Sequence, residues 1–147
     1  MHVILEPFVA EHGVEVTGAA ARDFLGFFLR CQYEGPGYTG RLPDGRILAC
    51  AGVVEDTPYS GNAWVLPTPL VKQYPLLFHR TVLTKWQELF TQYGWRRVQG
   101  MCDPRCPERI RWLERFGFVK EGVQRGGSLD GTDLWYYGWL KGDPNGH

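Results

Sequence analysis

The first 32 residues contain two apolar patterns, a continuous run and a set of side chains at helical spacing. Residues 3–8 are a short, mostly apolar run of the length and composition of a strand. Residues 19–32 carry apolar side chains three and four positions apart, which is the spacing of one face of a helix. The side chains on that predicted face are Phe24, Leu25, Phe28 and Leu29. The pattern therefore predicts a strand followed by a helix.

A hairpin and a third strand follow in the next part of the chain. The segments 38–42 and 46–55 are strand-like and flank the dipeptide Asp44-Gly45. This dipeptide supplies the positive φ angles that a tight hairpin turn needs. Residues 62–66 are a further apolar run, entered through a segment rich in turn-forming residues. The pattern therefore predicts three successive strands with short connections.

The second half of the chain predicts two helices and three strands. The longer helix begins near Pro75 and ends at Gly94, and it carries an apolar stripe along one face. The stripe consists of Phe78, Val82, Trp86, Leu89, Phe90 and Tyr93. The other predicted elements are a strand at 97–102, a short helix at 107–116 and strands at 118–124 and 134–140. Gly117 directly follows the short helix and is its predicted stop.

The order of these elements defines a fold class. Antiparallel hairpins towards both ends of the chain surround a β-α-β crossover, and this order gives a mixed sheet. We predict an α/β (α+β) fold with a mostly antiparallel central sheet of about six or seven strands and helices on both faces. No repeat, low-complexity tract or linker interrupts the 147 residues, so one domain spanning residues 1–147 is expected.

Composition and charge exclude several classes of protein. The chain has 16 basic and 16 acidic residues, and this balance disfavours bulk binding to nucleic acid or to an anionic membrane surface. No apolar run approaches the roughly 20 residues that span a bilayer, and the N-terminus lacks the pattern of a signal peptide, so a cytoplasmic protein is expected. The 4 cysteines lack the paired spacing of zinc ligands, which predicts reduced thiols and no metal.

Two segments and the element order resemble a known family. The segment 107–118 reads PERIRWLERFGF, an amphipathic helix that ends in Gly-Phe. With the order of elements it resembles the GNAT family of N-acetyltransferases, whose splayed mixed sheet holds acetyl-CoA. The segments 64–71 and 111–118 are similar, more narrowly, to short phage-encoded GNAT-like proteins. The resemblance implies transfer of an acetyl group from acetyl-CoA to an amine on a small molecule or a protein.

The resemblance also implies where acetyl-CoA binds. In the family, free backbone groups of one splayed strand pair with the pantetheine amides, and a glycine-rich loop wraps the pyrophosphate. By position, the loop is residues 68–74, but this segment contains no glycine, so side chains would replace lost backbone donors. Cys106 stands where the family commonly has an Asn before the last helix. The implied cofactor-binding residues are Trp64, Val65, Leu66, Thr68, Lys72, Gln73 and Cys106.

A general base is the second requirement of the implied reaction. An amine acceptor arrives as ammonium and must lose a proton before it attacks the thioester. The nearest acidic side chains to the implied site are Glu55 and Asp56, and Tyr136 and Tyr137 lie on the last strand. Their structural alternatives are a polar strand end for the acids and cross-strand packing for the tyrosines. Leu113 replaces the tyrosine that returns a proton to the thiolate in many family members.

Other functions stay open at this point. The glycine-free loop and Leu113 favour a GNAT-fold binding or virion-associated protein that turns over no acetyl-CoA. A homodimer is a third alternative, in which the aromatic strand 134–140 pairs with a partner. Residues 61–125 hold eleven basic and five acidic side chains, a net charge of +6, which suits an anionic CoA. Residues 1–60 hold four basic and eight acidic side chains, a net charge of −4, which suits a cationic acceptor.

Overall fold

The computed structural model describes residues 1–18 and 21–143 of the protein. The strands are β1 (Ile4–Pro7), β2 (Gly37–Arg41), β3 (Ile47–Thr57), β4 (Ser60–Pro67), β5 (Arg97–Cys102), β6 (Val119–Gln124) and β7 (Leu134–Leu140). The helices are α1 (Ala10–Thr17), α2 (Ala21–Tyr33), α3 (Leu70–Gln73), α4 (Pro75–Gln92) and α5 (Pro107–Arg115).

The strands form one sheet in the order β1-β2-β3-β4-β5-β7-β6. β4 and β5 run parallel, while β1 with β2, β2 with β3, β5 with β7 and β6 with β7 run antiparallel. The predicted fold class, a mixed and mostly antiparallel sheet with helices, is therefore confirmed.

The chain divides into two compact units. The first consists of Met1–Glu55 and Ala63–Gln92, and the second of Asp56–Asn62 and the described residues from Tyr93 onward. The boundaries fall inside β3 and β4, so neither unit is a contiguous stretch of sequence. The single domain of the sequence analysis stays a prediction.

Helices cover both sheet faces in the first unit. Neighbouring residues of a strand point to opposite faces. Thr39 of β2 contacts His12 of α1, with 2.7 Å between the hydroxyl oxygen and Nδ1, whereas the ring of Tyr38 lies 4.5 Å from Lys85 Nζ of α4. α1 and α4 therefore lie on opposite faces. The core on the α1 and α2 side contains Phe8, Ala10, Phe28, Cys31, Ile47, Cys50, Val54 and Trp64.

The helix α1 was not predicted from the sequence. It contains Gly13 together with β-branched residues, which are poor helix formers. Packing explains its presence, because a Cβ at Gly13 would lie 2.7 Å from the ring of Phe28 on α2. Tertiary contact therefore outweighs local propensity in this segment. The predicted start of the second helix, residues 19–20, lies outside the described residues.

Two local expectations for the first unit were wrong. In α2, Phe28 is fully buried, but Leu25 and Leu29 are exposed, so the buried face is narrower than the apolar spacing indicated. In the hairpin, Gly45 alone has positive φ, at 93°, among the residues of the turn. The Gly45 N–H donates to the Leu42 carbonyl, and the β2–β3 register shifts next to Arg41. This is a three-residue turn with a bulge rather than a two-residue turn.

The second unit combines three strands with α5. β7 pairs with β5 over six residue pairs, from Arg97↔Leu140 to Cys102↔Trp135. One face of these strands is buried, and its members are Val98, Cys102, Tyr137 and Trp139. β7 lies between β5 and β6, so both of its edges are already paired. The expectation that strand 134–140 pairs with a second copy of the chain is therefore wrong.

The end of α5 agrees with the sequence prediction. Gly117 has φ 91° and its N–H donates to the Glu114 carbonyl at 3.1 Å. The Phe118 N–H donates to the Leu113 carbonyl at 2.9 Å. These two bonds form a Schellman cap, which satisfies carbonyls that the end of a helix would leave unpaired. Phe116 and Phe118 are buried on either side of the glycine.

Candidate functional site

A row of polar side chains crosses the first residues of β4 and β5. Asn62 and Gln99 are the last of the three residue pairs in the parallel ladder, which begins at Ser60↔Arg97. Asn62 Nδ2 donates to Asp56 Oδ2 at 2.7 Å, and Asn62 Oδ1 accepts from Gln99 Nε2 at 2.8 Å. Gln99 Oε1 accepts from Arg97 Nη2 at 3.2 Å. The row joins a carboxylate at one end to a guanidinium at the other.

Glu121 of β6 holds the guanidinium of Arg97. Nη1 and Nη2 of Arg97 donate to the two carboxylate oxygens at 2.9 and 2.5 Å. These hydrogen bonds lower the pKa of Glu121 and raise the pKa of Arg97. Glu121 lies at the register shift between Lys120 and Gly122, and its carboxylate rests against Gly138 of β7. A Cβ at Gly138 would lie 2.5 Å from the carboxylate carbon, so a glycine makes room for this ion pair.

The two acidic candidates at the end of β3 lie in different surroundings. Glu55 is half-buried, and its N–H donates to the Glu34 carbonyl at 2.7 Å. Asp56 is exposed and joins the row through Asn62. The Asp56 carboxylate is therefore oriented by a hydrogen bond and is also exposed to a solvent-borne ligand.

The tyrosine candidates of β7 point in opposite directions. In the β5–β7 ladder, Gln99 lies opposite Gly138, and Met101 lies opposite Tyr136. Alternate residues of a strand share a face, so Tyr136 lies on the face that carries the row. Tyr137 lies on the other face, where burial raises the pKa of its hydroxyl. Tyr136, and not Tyr137, is therefore the candidate tyrosine on the same sheet face as the row.

Two of the three apolar side chains predicted for the cofactor strand lie in or against the core. Trp64 is only 7% exposed and its ring lies 4.9 Å from that of Phe8. Leu66 packs against the same core, while Val65 is 38% exposed. The Trp64 side chain is therefore a core group, and any contact of this residue with a cofactor must come from its backbone. The buried indole N–H of Trp64 has no hydrogen-bond partner within the described residues.

The predicted phosphate loop is largely helical. The segment 70–73 forms the short helix α3, and its C-terminal neighbour Tyr74 donates its N–H to the Leu70 carbonyl at 3.0 Å. The Thr68 hydroxyl lies 2.9 and 2.8 Å from the carbonyls of Ile47 and Leu48, so its one proton is used inside the protein. Lys72 and Gln73 are exposed. An ammonium and an amide are donors that suit an anionic phosphate.

The last of the predicted cofactor-binding residues, Cys106, lies at the start of α5. Cys106 is half-buried at the N-cap, and its carbonyl accepts from the Arg109 N–H at 3.1 Å. Cys102 is buried, and burial raises the pKa of its thiol to about 11. Leu113 is half-buried on α5 and carries no proton that it could donate. The helix that resembles the family therefore lacks the family's usual acid.

The sequence pattern alone does not reveal the polar row. It places Asn62, Arg97 and Gln99 on strands but indicates no function for their side chains. The available signal was alternation, because Arg97 and Gln99 flank the buried Val98 and so point to one face. Their meeting with Asp56 depends on pairing between strands that are distant in sequence, which no local pattern contains.

The residues that the structure describes contain neither a metal site nor a membrane-spanning helix. Residues 1–18 and 21–143 contain no group of three or more His, Cys, Asp or Glu side chains placed to hold a metal ion. Among the helices in this part of the chain, none is long and apolar enough to cross a membrane.

The strand order and the parallel β4–β5 pair define the fold of the GNAT N-acetyltransferases. The structure is similar to a mutant spermidine N-acetyltransferase from Vibrio cholerae, with a TM-score of 0.74, 10% identity and coverage of 94% of this chain and 95% of that one. It is also similar to a ribosomal-protein-S5-alanine acetyltransferase from Vibrio fischeri, with a TM-score of 0.71, 12% identity and coverage of 97% and 95%.

A third similar structure is an IAA acetyltransferase from Bacillus cereus, with a TM-score of 0.73, 10% identity and coverage of 94% and 99%. No protein-family model and no curated protein sequence matches the chain. At these identities the likeness concerns the fold, and the chemistry has to be argued from the residues of this chain.

Proposed function

We propose that the protein transfers an acetyl group from acetyl-CoA to a cationic amine acceptor. The observation that carries the proposal is the oriented, exposed carboxylate of Asp56 in a fold shared with N-acetyltransferases. Two similar structures are named a spermidine N-acetyltransferase and a ribosomal-protein-S5-alanine acetyltransferase, and these names give chemically different acceptors. The acidic balance of residues 1–60 favours a positively charged acceptor for this chain.

The binding of acetyl-CoA is proposed on the first unit of the chain. The backbone of Trp64, Val65 and Leu66 supplies N–H and carbonyl groups for the pantetheine arm. Lys72 and Gln73 supply exposed donors of the chemistry that the phosphates need. Thr68 contributes little there, because its hydroxyl proton is already used by main-chain carbonyls.

The proposed reaction balances with groups of this chain. The acceptor ammonium gives a proton to the Asp56 carboxylate, directly or through a water molecule, and the freed nitrogen lone pair attacks the thioester carbonyl carbon. A C–N bond forms, the C–S bond breaks, and its electron pair leaves on sulfur. Tyr136 is the candidate donor of a proton to that sulfur, and the nitrogen, which is cationic after the attack, loses its second proton, which restores the Tyr136 hydroxyl. A thiol of pKa about 8.5 also leaves tolerably as thiolate, so the loss of the usual acid at Leu113 is compatible with turnover.

Calorimetric titration with acetyl-CoA tests the binding part of this proposal. The protein is expected to bind acetyl-CoA, and Lys72→Glu is expected to weaken binding about tenfold by reversing one charge near the phosphates. Lys141→Glu is the matched control, since it makes the same change at an exposed residue that is not among the proposed cofactor-binding residues. Equal affinity of the Lys72 and Lys141 variants would refute the role of Lys72, and no binding by the natural protein would refute the cofactor.

A binding protein without acetyl transfer is the second candidate. Two observations favour it: the segment 68–74 contains no glycine, and Leu113 occupies the place of the family's tyrosine. The titration, combined with an acetyl-transfer assay, distinguishes the two candidate functions. A folded protein that neither binds acetyl-CoA nor acetylates any amine of a broad panel is the result expected of the second candidate.

A further inference from the structure

We propose that Arg97, Gln99 and Asn62 form a positioning row that orients Asp56 and leaves one defined carboxylate oxygen, Oδ1, for the cationic amine acceptor. The proposal rests on the proposed acetyl transfer, because that reaction supplies the acceptor. All the residues of the row, with Asp56 and Glu121, belong to the second unit of the chain. Their geometry is therefore a property of one compact unit.

The direction of every hydrogen bond in the row follows from Arg97. A guanidinium only donates, so the atom of Gln99 that faces it must be the oxygen Oε1. The amide nitrogen of Gln99 then faces Asn62 Oδ1 at 2.8 Å, and the amide nitrogen of Asn62 faces Asp56 at 2.7 Å. Reversing either amide would bring donor against donor or oxygen against oxygen. The row therefore presents an N–H, and never an oxygen, to the Asp56 carboxylate.

Glu121 anchors the donor end of the row. Arg97 is a long side chain with many rotamers, and two hydrogen bonds to one carboxylate fix the plane of its guanidinium. Arg97 Nε and Nη2 then lie 3.4 and 3.2 Å from Gln99 Oε1. Gly138 gives the Glu121 carboxylate the space that this geometry needs. The Glu121 carboxylate on β6 thus fixes the orientation of the Arg97 and Gln99 side chains on β5 and, through them, of Asn62 on β4.

The orientation of Asp56 affects how tightly the amine acceptor binds. An exposed aspartate that is free to rotate samples several rotamers, and binding a ligand must then order it. The Asn62 bond holds Asp56 through Oδ2, and within the described part of the chain Oδ1 is the oxygen left to receive an ammonium. A carboxylate ordered in advance binds the acceptor more tightly. The row therefore acts on the affinity for the amine and only weakly on the acetyl donor.

Gln99→Glu is the variant that tests this mechanism. It keeps the shape of the side chain but removes the N–H that Asn62 Oδ1 accepts. The introduced carboxylate takes up the N–H of Asn62, which then turns its oxygen towards Asp56 and releases it. With 1,4-diaminobutane as acceptor we expect the KM of the amine to rise about tenfold, the effect of one lost hydrogen bond, while the KM of acetyl-CoA stays unchanged.

Gln87→Glu is the matched control. It makes the same chemical change at an exposed position of α4, and all three kinetic constants should stay as in the natural protein. A Gln99→Glu enzyme with an unchanged KM for the diamine would overturn the positioning role. Parallel losses in kcat and in both KM values would overturn it too, since they indicate general damage to the structure.

Nuclear magnetic resonance on the natural protein tests the positioning row independently of acetyl transfer. It does not require that any variant folds. Adding 1,4-diaminobutane to the natural protein, without acetyl-CoA, should shift the Asp56 carboxyl carbon and the Asn62 side-chain amide signals, and 1,4-butanediol should shift neither. These shifts in a protein without transferase activity would support the positioning row and reject the acetyl transfer. No shift at either residue would overturn the row, whatever the activity.

Discussion

Asn62 and Gln99 form both the last backbone pair of β4 with β5 and a side-chain hydrogen bond of 2.8 Å. Beyond this pair β4 continues to Pro67 and β5 continues to Cys102. The side-chain amides of Asn62 and Gln99 therefore mark the end of the parallel ladder between β4 and β5 and connect the Arg97–Glu121 pair to Asp56.

Gly138→Ala should disturb the anchor of the row. The added Cβ meets the Glu121 carboxylate, which has to leave Arg97 or shift with it. Because the ion pair is partly exposed, we expect a loss of about 1 kcal/mol or less in the free energy of unfolding, measured with urea. Gly122→Ala is the control, since a Cβ there meets nothing within 4 Å. In a Glu121→Ala background the Gly138→Ala cost should largely disappear, and an undiminished cost would contradict the contact.

The Arg97–Glu121 pair should make stability depend on acidic pH. The pKa of Glu121 is lowered in the folded protein by its hydrogen bonds to Arg97. A group whose pKa is lowered on folding stabilises the protein above its unfolded pKa, and this contribution is lost as the pH falls through its folded pKa. The natural protein should exceed Glu121→Gln in Tm at about pH 7, and the difference should shrink towards about pH 3. A difference that grows on acidification would contradict the assignment.

Thr39 should be important for the stability of the first unit. It is fully buried, and its hydroxyl lies 2.7 Å from His12 Nδ1 and 3.4 Å from Cys50 Sγ. Thr39→Val keeps the shape and removes the hydroxyl, so we expect a loss of about 1–2 kcal/mol in the free energy of unfolding. Thr91→Val, at an exposed site on α4, should change it by less than about 0.5 kcal/mol. Similar costs at both positions would contradict the buried network.

The thiols should differ in their reactivity with a disulfide reagent near neutral pH. Burial raises the pKa of Cys31 to about 12 and that of Cys102 to about 11, and it also raises the pKa of Cys50. Thiolate is the reactive form, so Cys106, which is half-buried, should be the thiol that is labelled in the folded protein. Cys106→Ser should abolish this labelling. Labelling that persists in that variant would show that a core cysteine is accessible.

Acetyl-CoA should slow the labelling of Cys106 if this residue contributes to the cofactor site, as the resemblance implies. The matched comparison is CoA-free protein at the same ionic strength, because polyphosphates also screen charge. An unchanged rate at saturating acetyl-CoA would remove Cys106 from the site.

Much of the fold could be predicted from the sequence, and the reasons are local. The β2–β3 hairpin has a strong turn signal at Gly45, and the cap of α5 has one at Gly117. The helix α1 could not be predicted, since Gly13 is a poor helix former that becomes favourable only against Phe28. The turn and the cap can be predicted because the residues that form them are neighbours in sequence. Helix α1 cannot, because it depends on a tertiary contact.

The candidate site was harder to predict than the fold. Asp56 was identified as an acid at a strand end, but its orientation depends on Asn62, six residues away, and on Gln99, 37 residues further along the chain. The anchor at Glu121 also requires a register shift in β6, which places this side chain over Gly138. Register shifts of this kind leave no clear mark in the hydrophobic pattern.

The most direct test of the central claim is acetyl transfer itself, followed by mass spectrometry of the acceptor. The purified protein is incubated with acetyl-CoA and 1,4-diaminobutane, and Asp56→Asn is compared with Glu11→Gln, a change of the same kind at an exposed residue of α1. We predict N-acetylated diamine from the natural protein and from Glu11→Gln, and at least a hundredfold less from Asp56→Asn, the scale of losing a general base. Full activity in Asp56→Asn would contradict the role of this carboxylate, and no product from the natural protein with any amine tested would contradict acetyl transfer.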